Sequence, residues 1–477
     1  MELLSLAIIS PLLGGLLIFL IKDRRFSKFI SYLSSLISLI AFFVLFLNFE
    51  KTGGFQHVIS LEWIPAWRVN IEFGLDKFNA PFAILTSLIS IVAIHLSLRT
   101  AIERVENYLS LILLLQFTVI GFYLSTNLFL FFIFYEAMLP PAFFLIYRWG
   151  TGDSYRAAFK FLIYTFAFSI FLFIGIIGVF MAAGSFSFES LKELNLSLQD
   201  KTLLYLAFFL AFAVKIPIVP LHGWLRDAYY LSPTPITIFM SAVMGKMGIY
   251  GLLRVTPYFS DVLLEIGWAI ILLCLISFIY AAFLALNQRD MKLLFSYMSL
   301  SHVGIITAGL LSGTLQGLNG SLLQSINHGV LAASFFYLAE IFKRQTKSYD
   351  MDRLGALSKR VPVLVFFTFA FVMAMGGFPG LSYFNGEILL LSGIFRHSVI
   401  LGFLAIIGVA IGVVYLCYFF YRVFLKKPGS DMSLLVRDVR GFEFVIFSVF
   451  FIITLYLGLN PSFVIGQVEN IFTYYGR

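Results

Sequence analysis

The sequence predicts an all-α polytopic membrane protein of about 14 transmembrane helices, two of them broken. Hydrophobic residues make up 60% of the 477 and charged ones only 12%, with a mean hydropathy of +0.95, far outside the range of soluble domains. The apolar residues come in near-continuous runs of about 20 rather than in alternation. Of the two architectures that satisfy every backbone group in lipid, that pattern selects helices over a closed barrel. One run leads up to Lys215 and then meets Pro217 and Pro220, so a charge expected at bilayer depth stands where a helix must stop.

In chain order the spans fall at 3–21, 29–48, 81–98, 108–124, 127–147, 159–183, 203–221, 235–253, 261–286, 293–311, 321–342, 362–394, 399–421 and 442–459, each an apolar window bounded by charged or turn residues. The first begins at the initiator with neither a basic leader nor a small-residue cleavage site and is expected to be retained. The seventh is interrupted at Pro217 and Pro220. The twelfth is too long for one straight span, and Gly376, Gly377, Pro379 and Gly380 near its middle are expected to split it into two half-helices. Two loops of some size, Phe49 to Ala80 with Trp63 and Trp67, and Gly184 to Lys201, fall on one side.

A net charge of +8 and a pI near 9.2 would suggest nucleic acid in a soluble chain; here the excess is a topology signal, and no nucleic-acid partner is expected. About 23 of the 33 basic residues follow odd-numbered spans and about 8 follow even-numbered ones. Both termini are therefore expected on the external, periplasmic side of a cell inner (cytoplasmic) membrane. Cys274 and Cys417 lie far apart in apolar runs. They suit neither a thiolate cluster nor a haem-attachment motif, so no cofactor and no metal are expected in this chain.

Removing the loops leaves six ionisable residues within spans: Glu136, Lys215, Lys246, His302, His328 and Glu387. The first four fall near the middle of their predicted helices. His328 lies slightly to one side, and Glu387 about nine residues past the middle of the twelfth span, toward the external surface at about 1.5 Å per residue. Taken singly, a buried histidine is as often a core hydrogen-bonding group, Glu136 and Lys215 could be one structural ion pair, and Lys246 could snorkel. Six such residues of mixed sign in a chain with no other chemistry are explained more economically by proton or cation passage. His95 and Glu340 are expected at span ends, at the interface. The two broken spans stand five apart, which suits two inverted five-helix repeats, spans 4–8 and 9–13, meeting at discontinuous helices. The expected division is 1–107, 108–260, 261–424 and 425–477.

The runs AFAVKIPIVPLHGWLRDAYYLSPTP, FYEAMLPPAFFLI, RDMKLLFSYMSLSHVG, SINHGVLAASFFYLAE and FPGLSYFNGEILLLSG, in this order across most of the chain, resemble the antiporter-like membrane subunits of respiratory complex I (NADH:quinone oxidoreductase). That family also includes Mrp-type cation/proton antiporter and membrane-bound hydrogenase subunits. The resemblance implies that Glu136 pairs with Lys215, that Lys246 leads to the centre, that His302 and His328 lie on a hydrated axis, and that Glu387 feeds the external exit. It implies proton translocation coupled to quinone reduction elsewhere, with neighbouring antiporter-like chains and the lipid bilayer as partners. Glu387 stands where several members have lysine, and a long C-terminal lateral helix is not expected. The chain departs from the family at Arg226, where Pro is usual, and at Tyr229 and Leu231, where His and Glu are common; these changes bear on the cytoplasmic uptake route. The alternatives are an Mrp-type antiporter, a hydrogenase-associated pump, or a secondary solute transporter. The last would need a further buried polar cluster, which the sequence does not offer.

Overall fold

The computed structural model describes residues 2–50, 54–67, 69–100, 102–427 and 435–465. Lys51, Arg68 and Arg477, counted in the charge asymmetry, lie outside them, as do parts of the 425–477 segment and the tail on which the missing lateral helix was read.

Helix occupies every stretch predicted to span. The chain opens with α1 (Glu2–Ile21) and α2 (Arg24–Leu47), then α3 (Asn79–Arg99), α4 (Val105–Leu124), α5 (Leu128–Ala137), α6 (Leu139–Trp149), α7 (Ser154–Ala183) and α8 (Leu198–Lys215). It continues with α9 (Leu225–Leu231), α10 (Thr234–Phe239), a π-turn at Met240–Met244, α11 (Gly245–Val255), α12 (Ser260–Leu286), α13 (Met291–Leu311) and α14 (Leu315–Thr346). The last elements are α15 (Pro362–Met375), α16 (Ser382–His397), α17 (Val399–Phe420), a second π-turn at Tyr421–Leu425, α18 (Phe442–Leu459) and α19 (Ser462–Ile465). Ten helical stretches among the described residues are long and apolar enough to cross a membrane. α8 is not among them, because its 18 residues include Asp200, Lys201 and Lys215.

The loop after α2 holds an antiparallel hairpin, β1 (Gln56–Ile64) and β2 (Val69–Leu75), with Ile59 opposite Phe73 and Leu61 opposite Ile71. The chain is thus not wholly helical. The period-2 signal was present, since Ile59, Leu61 and Trp63 alternate with more polar residues, but a window of span length averages it away. Asn127, which caps α5 through Leu130 N, also donates to Asn70 O at 3.0 Å and so ties the hairpin to the bundle.

Three spans are more broken than expected. The fifth is two helices meeting at Met138, because Pro140 and Pro141 have no N–H to offer the carbonyls of Glu136 and Ala137. The seventh ends its long helix at Lys215 itself, so this lysine terminates a helix rather than occupying its middle. The eighth contains the π-turn. The break expected at Gly376–Gly380 is present, between α15 and α16.

Two compact units divide the chain. The first takes the described residues up to Pro217 together with Leu231–Ile266; the second takes Ile218–Tyr230 and the described residues from Gly267 on. In the first, α1 packs on α2 and α4 through small residues, with Ser38 Oγ donating to Ala7 O at 2.5 Å and Ser110 Oγ to Gly15 O at 2.8 Å. In the second, α14 lies against α13 and α16 and turns Gln324, Asn327 and His328 into the interior.

Candidate functional site

In the first unit Lys215 is 1% exposed. It ends α8, where unsatisfied carbonyls carry the negative end of the helix dipole. Its ammonium lies 4.5 Å from the centre of the Tyr135 ring and 3.6 Å from Met138 Sδ, and Tyr135 is itself anchored by donating to Ala211 O at 2.8 Å. Glu136 is adjacent in sequence but not in contact. Among the described residues no ion pair within 4 Å joins it to Lys215, and its Oε1 accepts no hydrogen bond. Ser169 of α7, whose hydroxyl donates to Phe166 O at 2.8 Å, lies beside Glu136, and Lys215 acts on that carboxylate only through space. The expected Glu136–Lys215 pair is therefore within electrostatic reach but open, because Tyr135 and Met138 hold the lysine instead.

Lys246 is fully buried at the start of α11. It does not snorkel: its Nζ donates to Ser241 O at 2.6 Å. That carbonyl belongs to the π-turn, where the ladder shifts to i→i+5. Val243 O, in the same turn, accepts from Tyr123 Oη at 3.1 Å, and Tyr250 Oη donates to Tyr123 O at 2.8 Å. Arg254, counted as a loop charge, is instead drawn inward, its side chain 9% exposed and paired with Asp76 at 2.5 Å, with the Phe55, Phe78 and Tyr250 rings around it.

In the second unit His302 and His328 face each other across α13 and α14, ring centres 5.8 Å apart. His302 Nδ1 is 2.6 Å from Tyr383 Oη, and Nε2 is 2.9 Å from Tyr415 Oη. Sequence reasoning missed both tyrosines, which lie 81 and 113 residues away and read as packing aromatics. Asn327 Nδ2 donates to Ser382 O at 2.7 Å, and Gln324 Nε2 to Tyr383 O at 3.2 Å, so α14 holds the first turn of α16 in place. These amides form a buried polar cluster that the sequence was not expected to contain. Glu387 lies five residues into α16, and its carboxylate bends back to the space a β-carbon on Gly377 would need. It sits at the break rather than at the far end of its helix, because helical side chains lean toward the N-terminus.

His95 and Glu340 were expected at the interface. Both are buried: His95 Nδ1 meets Tyr32 Oη at 3.1 Å, and Glu340 Oε2 meets Tyr349 Oη at 3.5 Å. Lys292, read as a loop charge, is also buried, donating to Tyr230 O at 3.0 Å. Outside the spans, burial pushes the Asp290 carboxyl above its ordinary range.

Long apolar helices, repeatedly interrupted and carrying buried ionisable groups at or beside the interruptions, define a multi-pass membrane protein built around intramembrane charge. The chain belongs to the NADH:quinone oxidoreductase/Mrp antiporter transmembrane family, which matches residues 125–412. It is 32% identical to NADH-quinone oxidoreductase subunit M of Rickettsia felis over 98% of this chain and 97% of that one. It is 30% identical to NADH-ubiquinone oxidoreductase chain 4 of Arabidopsis thaliana over 96% and 94%. Among solved structures it is similar to a chain of respiratory complex I from Thermus thermophilus with bound NADH, at TM-score 0.89 and 27% identity over 99% and 100% of the two chains. A chain of the Mrp complex from Dietzia shares the fold, at TM-score 0.85 and 20% identity.

Proposed function

We propose that this chain is the M-type, chain 4-like, antiporter-like subunit of an NADH:quinone oxidoreductase, and that it moves protons across a cytoplasmic membrane. Protons would pass by Glu136, Lys215 and Lys246 in the first unit and by His302, His328 and Glu387 in the second. Electron transfer would stay in other subunits, and this chain would hold no redox cofactor. Fourteen crossings in two inverted five-helix repeats, both termini external, and neighbouring antiporter-like chains complete the reading.

The observation that carries it is the state of Lys215. A lysine buried to 1% exposure costs several kcal/mol, about 2.5–3.5 on insertion scales, unless something stabilises it. Here a helix end, an aromatic face and a thioether do so, while the nearest acid is close but not touching. Such a lysine is sensitive to its neighbour. Approach of the Glu136 carboxylate would hold a proton on Lys215, and its withdrawal would release one. The joint at Met138, between α5 and α6, is where Glu136 could shift without breaking a continuous ladder.

The test is Lys215→Ala in native membranes, with assembly followed on a native gel and proton pumping measured against electron flux. Loss of pumping and flux in an assembled complex is the expected result. Unchanged pumping by an assembled variant would return Lys215 to a structural role. The shared Mrp fold gives one competitor a specific basis, and transport that depends on Na⁺ would favour it.

A further inference from the structure

Resting on the functional reading above, we propose that Tyr383 carries the proton from His302 toward Glu387 and that Tyr415 delivers it to the opposite nitrogen of the same imidazole. Nothing in the sequence or in the family match assigns a role to either tyrosine.

The argument starts from what the two contacts have in common. A neutral imidazole has one N–H donor and one bare acceptor nitrogen, and a histidine that serves only as structure is ordinarily pinned in one tautomer by an acceptor such as a carbonyl or carboxylate. His302 has a tyrosine hydroxyl at each nitrogen, at 2.6 and 2.9 Å. A hydroxyl can donate to a bare nitrogen or accept from an N–H, so either tautomer and the doubly protonated ring are all satisfied by the same two partners. Neither contact fixes where the proton sits. A relay needs that indifference, and a packing histidine has no use for it.

The second strand is where Tyr383 leads. It lies four residues before Glu387 on α16, hence on the same face one turn earlier, and the Glu387 side chain leans back toward that turn. The carboxylate makes no direct hydrogen bond to either tyrosine hydroxyl, whose short contacts go to His302, so the last transfer runs through a bridging water. Tyr383 is fully buried and Tyr415 1% exposed, and the Gln324 and Asn327 amides hold the Ser382–Tyr383 backbone against α14, so the hydroxyl is presented to His302 by a fixed turn.

The step balances as follows. The Tyr415 O–H bond breaks as its proton goes to Nε2, the Tyr415 oxygen takes a replacement proton from the inner side of the path, and the ring becomes an imidazolium. The Nδ1–H bond breaks as its proton goes to the Tyr383 oxygen, and the Tyr383 O–H bond breaks as that proton passes through a bridging water to the Glu387 carboxylate. One proton has entered at Tyr415 and one has left on Glu387; the ring and both phenols end neutral, and no electron is exchanged.

The experiment compares Tyr383→Phe, Tyr415→Phe and Lys215→Ala in the assembled membrane complex, with assembly checked on a native gel. Removing either transferring hydroxyl should lower pumping-coupled flux at least about tenfold, in Tyr383→Phe and in Tyr415→Phe alike, within what a proton-transfer group supplies. An assembled Tyr383→Phe complex that pumps within about twofold of the parent, beside an inactive Lys215→Ala, overturns this inference alone. A Lys215→Ala complex that pumps normally overturns the functional reading and this inference with it. If Tyr383→Phe fails to assemble, 3,5-difluorotyrosine at position 383 keeps the shape and makes the hydroxyl more acidic. A shift of the flux–pH profile then supports the relay, and an unmoved profile overturns it, because packing alone does not respond to phenol acidity.

Discussion

Replacing Gly377 by alanine tests whether the break in the twelfth span positions Glu387 or merely interrupts a helix. Gly377 has φ +74° and Gly380 φ +88°, so a β-carbon at either would enter the left-handed region at about 1–2 kcal/mol. The two sites differ in what that β-carbon meets. At Gly380 nothing lies within 4 Å; at Gly377 it would overlap Glu387 Oε2. Gly380→Ala therefore carries the backbone strain alone, while Gly377→Ala adds displacement of the carboxylate by about 1 Å before ordinary van der Waals contact is restored. A displacement of that size at a transfer site can cost about 10²-fold in rate. Gly376 has φ −80° and its β-carbon would sit 3.1 Å from Val372 O, so Gly376→Ala carries a close backbone contact but no left-handed strain and no contact with Glu387, and serves as the control for both. In native membranes, Gly377→Ala and Gly380→Ala should lose similar thermal stability, and only Gly377→Ala should lose most of its coupled flux. Equal flux in the two strained variants would mean that the contact with Glu387 does not matter, and the positional argument would fall.

Two further outcomes are expected. Asp438 accepts Val363 N at 2.9 Å and Leu364 N at 2.8 Å at the start of α15, whose own N-cap residue Val361 offers no side-chain bond; Asp438→Ala should cost about 1–2 kcal/mol, seen as earlier thermal loss of the assembled complex, and an unshifted transition would show the cap to be idle. Asp352 is held below the ordinary carboxylate range, first by its hydrogen bond to Arg422 and then by the charges of Arg422, Lys426 and Arg289. Its folded-state value is depressed, so its stabilisation is present above the ordinary carboxylate range and is lost as pH falls through that lowered value. Amide exchange over residues 347–353 should quicken only in acid, and Asp352→Asn should abolish the response; an acid response that survives the substitution would assign it to another group.

The spans and two of the breaks were legible because hydropathy, proline and glycine act locally. Lys215 was conspicuous for the same reason, a charge at the end of an apolar run. The joint at Met138 was in the sequence too: Pro140 and Pro141 remove the donors for the Glu136 and Ala137 carbonyls, but an apolar window of that length reads as one helix. The π-turn before Lys246 has no such residue to announce it. Partners of the buried groups were least legible. Tyr383 and Tyr415 reach His302 only through the packing of α13, α16 and α17, and the Glu136–Lys215 contact, expected from resemblance, is open because Tyr135 and Met138, which read as core, take the lysine first.

The placement of the charges on the proposed path follows one rule in both units. A continuous helix offers a buried cation no free carbonyl, since every interior one is already bonded to the residue four positions on. Lys215 stands at a helix end, and Lys246 donates to a carbonyl of a π-turn. Glu136 is two residues from a proline joint, and Glu387 folds back onto a glycine break. His302 and His328 occupy the unbroken helices α13 and α14, and an imidazole can do so because its neutral form carries no charge for ladder carbonyls to meet; His302 is met by two tyrosine hydroxyls instead. Along the proposed path the lysines and carboxylates thus sit where the backbone is interrupted and the imidazoles where it is continuous, whereas Glu340, off that path, is buried in unbroken α14 and meets Tyr349 instead; on the path the interruptions make buried charge tolerable and do not merely bend the helices.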